Sequence, residues 1–366
     1  MSEVHIGTEA DTQTVSSVLA ETPSLIMPVP GAIIIDWQDS FLITPVGLVS
    51  GPSDRVINVE GNQQFTATSG MIVLAHKGSV VTAQAGSTVV GYSGSIVMAE
   101  AGAGVVAFDG CCADAIAGAF VTVNRGADVT AHRGSKVVAN AGSTVTAFAG
   151  AEVTANAGAV VQVMRFGAII RAHAGSVIYA YEGAEITASA GVTVIAGDDC
   201  LVRAYEGAIV KAMAESSVYA YAGSEVEAFE GSKVYAGDGA VVTAHKGSNV
   251  ETKGKATVHA RDGATVLGAQ GATIYAYAGS KVKSFGGSTT YAKVGSRVKA
   301  GDGAYVIAED GSEVIAKYMS TVVAEAGSTV YAKPHSNVTA KAGSAVYKEE
   351  KATVVVEVGA KVKDRE

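Results

Sequence analysis

From about Gly70 onward, apolar and polar residues alternate in blocks of eight. With glycine at position zero, position one is Ser or Ala, position three Val or Ile, and position five Ala. Gly142-Ser143-Thr144-Val145-Thr146-Ala147 and Gly311-Ser312-Glu313-Val314-Ile315-Ala316 are examples. Positions two and four vary among Lys, Glu, Thr, Tyr and Val. Alternation with period two predicts a half-buried strand whose odd positions point inward. Positions six, seven and zero form a corner, where glycine tolerates backbone angles that other residues resist. Glycine keeps this step from Gly78 to Gly158, and one residue is then added near Arg165-Phe166 before Gly167. That residue belongs in a corner or bulge, because inside a strand it would turn every later inward side chain outward.

One octad cannot bury its own inner face. Stacked along a helical path, octads bury one another's inner faces and pair each strand with the coils above and below, so the fold class is all-β, a β-solenoid. Coil size follows from the inward residues. Three octads per coil would enclose a wide triangular lumen, which Ser, Ala and Val are too small to fill at native density. Two octads pressed together give a thin core, thick at the central Val. Sixteen residues per coil is therefore the preferred reading, with three octads as the alternative. Outward tyrosines echo at sixteen: Tyr205/Tyr221, Tyr219/Tyr235, Tyr275/Tyr291 and Tyr331/Tyr347. A longer echo of seven octads relates Ser217–Ser224 to Thr273–Ser280. Seven is odd, so two-octad coils place these copies on opposite faces.

The pattern extends faintly back to about Val46, giving a solenoid over 46–366 of about forty octads and twenty coils. At about 4.8 Å per coil this is on the order of 95 Å. Residues 1–24 read as a flexible segment. Residues 25–45 belong to the most apolar stretch, which holds the single tryptophan, Trp37. They read as an N-terminal cap over the open solenoid end, whose strand edge and core need cover.

Composition agrees with a thin core: 44 Gly, 6 Pro and one Trp, with 48% hydrophobic residues. A net charge of −8 disfavours nucleic acid as a partner. No apolar run reaches the length of a transmembrane segment. The polar start, MSEVHIGTEADTQTV, lacks the basic and apolar regions of a cleaved signal peptide. The expected location is cytoplasmic, or virion-associated or secreted without such a signal. Cys111, Cys112 and Cys200 form no disulfide framework, and adjacent Cys111 and Cys112 point to opposite faces of a strand.

Candidate chemistry is sparse. His76, His132, His173 and His245 occupy corner position six without metal-ligand spacing, so no metal site is assigned. Asp198, Asp238 and Asp302 sit in acidic turns. No catalytic residues and no cofactor are assigned. Two candidate binding features remain. Lys281, Lys283, Arg297 and Lys299 fill outward positions of octads sixteen residues apart and would form one cationic patch, suited to an acidic partner or polyanion. Tyr219, Tyr235, Tyr275, Tyr291, Tyr331 and Tyr347 would stack in pairs, suited to carbohydrate or protein contact.

Gly142-Ser143-Thr144-Val145-Thr146-Ala147-Phe148 and Gly86-Ser87-Thr88-Val89-Val90-Gly91-Tyr92 resemble the Gly-Ser-Thr-x-Thr-Ala-Gly-Tyr octads of bacterial ice-nucleation proteins. They also look like the Gly-Ser-Ala-Thr-Val repeats of uncharacterised bacterial and phage proteins. The resemblance spans about residues 70–362 and implies a two-sided solenoid of sixteen-residue coils. It associates ice binding with outward Thr-x-Thr ranks, and here Thr144-x-Thr146 is the only such pair in the octad frame.

Polysaccharide-cleaving β-helices need long loops and clustered carboxylates, and the octads leave almost no insertions. The sequence thus reads as a non-enzymatic structural or interaction solenoid. It either self-associates, as a weak homo-oligomer through its C-terminal end, or presents flat faces to a protein or glycan partner.

Overall fold

The computed structural model describes residues 56–365 apart from Gln270, together with four short strands nearer the N-terminus. These four, His5–Ile6, Ile34–Asp36, Phe41–Thr44 and Gly47–Ser50, pair antiparallel in chain order. Gly47–Ser50, counted in the octad frame from Val46, joins this antiparallel group, and the parallel strands begin at Val56–Val59. The remainder of the 1–24 segment and of the 25–45 cap lies outside the described residues.

The chain divides into two compact units, Met1–Val177 and Ile178–Glu366. In the first, fifteen strands run from Val56–Val59 to Ile169–Ala172. They alternate between two parallel sheets. Thr88–Gly91 pairs with Ile72–Ala75 and Gly104–Ala107, while Ile96–Ala99 pairs with Val80–Ala83 and Cys112–Ala115. Partners such as Val97↔Ala113 and Val129↔Val145 differ by sixteen, so each coil holds two octads and the three-octad alternative is excluded. At Glu152↔Ile169 the offset is seventeen. The extra residue falls in the corner between Val160–Val163 and Ile169–Ala172, so the inward register survives it.

The second unit follows the same rule up to Lys361–Asp364, with Val226↔Val242 and Val298↔Val314 in register. Ser217–Ala220 and Thr273–Ala276 lie in different sheets, as the seven-octad echo requires. Among the described residues there is no helix, so none is long and apolar enough to cross a membrane.

Inward positions form the core. Val145, Val226 and Val314 are buried, and so are the Ala and Ser residues that flank them. Serine at position one is compatible with this core because its hydroxyl is satisfied locally. Ser143 Oγ donates to the carbonyl of Asn140 at 2.6 Å, and the Ser143 N–H closes the same turn onto that oxygen at 3.1 Å. A buried hydroxyl without such a partner would be destabilising. Gly142 is the third residue of this turn and has φ 73°, which fits the type II geometry that favours glycine there. Its N–H donates to the Gly158 carbonyl one coil away at 2.9 Å, so the corners stack as well as the strands.

Five corners place another residue in this left-handed conformation: Asp199, Glu215, Met319, His335 and Lys351. A side chain there costs about 1–2 kcal/mol; at two of these corners the backbone N–H helps to hold the conformation, Met319 donating to the His335 carbonyl and His335 to the Lys351 carbonyl, both at 2.9 Å. Small residues elsewhere answer large ones across the core. A Cβ on Gly91, where most octads carry Ala, would lie 2.3 Å from Cys111 Sγ.

Candidate binding faces

A coil of two octads sends alternate octads to opposite sheets, so each face must be read every sixteen residues. In the second unit this sorts the candidate residues into two chemically different surfaces.

One face carries Tyr219, Tyr235, Lys281, Lys283, Arg297, Lys299, Tyr331 and Tyr347. Lys281 stands opposite Arg297, and Lys283 opposite Lys299, on neighbouring strands. All four cations are exposed. The patch is bounded by Thr265 and Leu267 on one side and by Glu313 and Ile315 on the other. Arg297 Nε lies 3.5 Å from Glu313 Oε2, so that cation is partly neutralised, though little is gained from a pair so exposed. On either side of the cations, Tyr219 stacks on Tyr235 with ring centroids 5.0 Å apart, and Tyr331 on Tyr347 at 5.2 Å. Lys253 lies over the Tyr235 ring and Arg365 over both Tyr331 and Tyr347, cation–π contacts that stiffen the stacks.

The other face holds Tyr275 and Tyr291, stacked at 5.1 Å. His259 stacks beneath Tyr275 at 5.0 Å, making a three-ring ladder. Burial, with the Arg261 charge second, lowers the His259 pKa, so the ring stays neutral further into the acid range. Thr257, Thr273 and Thr289 form the parallel column beside these rings. Over the eight strands from Val241–Ala244 to Thr353–Val356, no outward position of this sheet carries Asp, Glu, Lys or Arg. The outward residues are Val241, Thr243, Thr257, His259 and their successors up to Thr353 and Val355.

The sequence reading paired the tyrosines correctly but treated them as one class. It missed the uncharged face because charges are frequent along the chain in this region and separate only when alternate octads are read apart. His259 was not among the candidates, although its spacing of sixteen from Tyr275 was there to be used.

The remaining candidates take structural places. Corner histidines join ladders: His76 stacks on Tyr92, His132 on Phe148 and His245 on Phe229. The Asp238 carboxylate accepts the Lys255 backbone N–H at 2.6 Å. Burial pushes the Cys111 thiol up to about 11 and raises that of Cys200, which leaves both poor nucleophiles, while Cys112 is exposed on the opposite side of its strand. Thr144 and Thr146 are flanked by Asp128 and Thr130 on one strand and by Val160 and Gln162 on the next, so no threonine rank extends from them. Among the described residues no three His, Cys, Asp or Glu side chains converge as metal ligands would.

No family model matches the chain, and no curated protein does. Among solved structures, it is similar to the crystal structure of the TibC-catalysed hyper-glycosylated TibA55-350 fragment, at 15% identity and a TM-score of 0.22. That match covers 85% of this chain and 97% of the other. So low a TM-score carries no argument about fold or function.

Proposed function

We propose that this chain is a non-enzymatic interaction scaffold whose working surfaces are the flat faces of its solenoid sheets. The observation that carries this reading is the uncharged outward face of the second unit, with its ladder of His259, Tyr275 and Tyr291 beside a column of threonines. Charges are the usual means of keeping an exposed sheet surface from sticking to other molecules. A face eight strands wide without them has been left adhesive, and stacked rings with adjacent hydroxyls suit the apolar and polar sides of a sugar. Corners such as Phe148–Ala151 are four residues long and build no walls for a reaction cleft.

The opposite face supports a second reading, the capture of an acidic polymer by Lys281, Lys283, Arg297 and Lys299. Both are tested by retention of the full chain on uncharged glycans and on heparin. Tyr275→Ser with Tyr291→Ser is expected to weaken glycan retention at least tenfold and leave heparin untouched. Lys283→Glu with Lys299→Glu is expected to do the reverse, with heparin retention in the wild type falling as salt rises. If the wild type binds neither, or both variants bind like it, the reading fails.

Self-association belongs to the same proposal. In the last coil, Val356 and Val362 occupy inward register yet are 53% and 36% exposed, an apolar edge that a second copy would cover. Light scattering over a range of concentrations, wild type against Val356→Lys with Val362→Lys, decides it. A wild type that stays monomeric throughout removes this part of the proposal.

A further inference from the structure

From Gly70 onward, three octads carry glycine at corner position six: Gly197, Gly237 and Gly301. None of the three has the left-handed backbone that calls for glycine. The missing side chain needs another reason, and two of them have one in the packing. A Cβ on Gly197 would lie 2.6 Å from the Tyr181 carbonyl oxygen, so the backbone itself closes that corner. A Cβ on Gly301 would lie 2.3 Å from the Phe285 ring, which fills the space. At Gly237 a Cβ would meet the Ala220 oxygen at 3.1 Å and Tyr221 Cα at 4.0 Å, and apart from its chain neighbours no side chain comes within 4 Å.

Gly237 interrupts an aromatic ladder. Tyr205 and Tyr221 hold position six on the two preceding coils of the same edge, with ring centroids 4.8 Å apart and planes 12° from parallel. The backbone continues in step through the glycine. Tyr221 N–H donates to the Ala204 carbonyl and Gly237 N–H to the Ala220 carbonyl, both at 2.8 Å, and Lys253 N–H to the Ala236 carbonyl at 2.7 Å. The third rung is thus present in backbone and open in side chain. Tyr205 covers one face of Tyr221, so the other face looks along the column over Gly237. Among the described residues no ring and no cation lies on that face. Lys253, the next residue of the column, turns aside to lie over the Tyr235 ring and to pair with Glu251. Tyr221 and Lys253 stand two coils apart, about 9–10 Å, which admits one ring stacked at the ladder's own spacing.

The surroundings of the open rung are polar. A position-six side chain meets the position-four side chain eighteen residues before it: His76 meets Asn58, His132 meets Asp114, and Lys253 meets Tyr235. By the same offset a group on the open rung reaches Tyr219, which is exposed. At the corner tip, Asp238 Oδ1 accepts the Lys255 N–H, which leaves Oδ2 to accept from a ligand. We infer that the notch at Gly237 binds one neutral pyranose unit of a glycan, its C–H face on Tyr221 and its hydroxyls on Tyr219 and Asp238. One aromatic wall with a polar rim matches a sugar ring, which has an apolar face and a girdle of hydroxyls. The Asp238 carboxylate selects against an acidic sugar by like-charge repulsion. This notch lies on the edge beside the Tyr219 sheet and does not depend on the uncharged face that carries Tyr275 and Tyr291.

The test titrates the full chain with methyl pyranosides of gluco, galacto, manno and N-acetylgluco configuration, and with indole, followed by saturation-transfer difference NMR. At least one pyranoside should bind, with saturation strongest on the C–H protons of one ring face. Gly237→Tyr supplies the missing rung, as Tyr205 and Tyr221 supply theirs. It should fold and weaken that binding roughly tenfold or more, the scale of one aromatic stack. Tyr221→Ser removes the wall instead and should weaken binding as much, which keeps the test decisive should Gly237→Tyr fail to fold. Tyr275→Ser with Tyr291→Ser should leave binding unchanged. The inference is overturned if no pyranoside binds, if indole alone binds, or if either folded variant of the notch binds as the wild type does. Loss of binding in the Tyr275 and Tyr291 variant would also overturn it, by assigning the sugar to the uncharged face.

Discussion

Leu74 in the first unit and Leu267 in the second occupy the same octad position, four residues after the corner glycine, yet Leu74 is 4% exposed and Leu267 37%. The octad fixes the direction in which each Cβ leaves the strand, and both leave it outward. It does not fix what lies on the far side. Around Leu74 that side is closed to solvent; around Leu267 it is open. The burial of an outward residue in a solenoid is therefore a property of the sheet's neighbours, and it must be argued face by face.

The inward positions are the reference against which this difference is measured. Val226→Asp would strand a charge in a core one side chain thick and is expected to cost about 3–5 kcal/mol, read as a large fall in the thermal midpoint. Near-native melting would contradict the inward register of the second unit. Next in size comes the matched pair itself. Leu74→Ala should cost about 2–4 kcal/mol because it opens a cavity at a buried site, whereas Leu267→Ala should stay below about 1 kcal/mol. Equal losses in urea unfolding would erase the distinction between the two outer faces.

Gly91→Ala probes the core of the first unit from the other direction. The new methyl meets Cys111 Sγ, and overpacking of this kind costs about 1–3 kcal/mol. Cys111→Ala in the same chain should return most of that loss, and a double variant no better than Gly91→Ala would show that the clash is not the cause. The smallest effect belongs to His259 on the open face. Its folded pKa lies below its unfolded value, so the unfolded chain binds the proton more readily and stability falls as pH drops through and below the ordinary histidine range. His259→Phe should flatten that slope between pH 7 and pH 5 while keeping the stack on Tyr275. An unchanged slope would place its origin elsewhere.

Much of this fold was legible because glycine marks most corners and the residues between corners alternate with period two. Val145, Val226 and Val314, the position of the extra residue beside Phe166, and the stacking of Tyr219 on Tyr235 all follow from counting in eights and sixteens. Where Met319 and His335 take the glycine's place, a backbone N–H donated to the next coil at 2.9 Å holds a conformation that the residue itself disfavours. Two features escaped. The uncharged face is hidden in the linear sequence because Lys281 and Lys283 lie between Thr273 and Thr289 along the chain but on the opposite sheet in space. The buried column at Leu74, Val90 and Val106 reads as ordinary outward positions, because the octad sets only the direction of each side chain and not what it meets.

The central claim is that two octads make one coil, since both faces and every neighbour named above depend on it. It is tested most directly by paired cysteines in a chain whose own three cysteines are replaced. Thr257→Cys with Thr273→Cys, sixteen residues apart, places two thiols on adjacent strands of one sheet, within reach of a short thiol-to-thiol cross-linker. Thr265→Cys with Thr289→Cys, twenty-four apart, places them on opposite sheets. The account predicts efficient cross-linking of the first pair and none of the second. Cross-linking of the second pair in place of the first would contradict it and give each coil three octads.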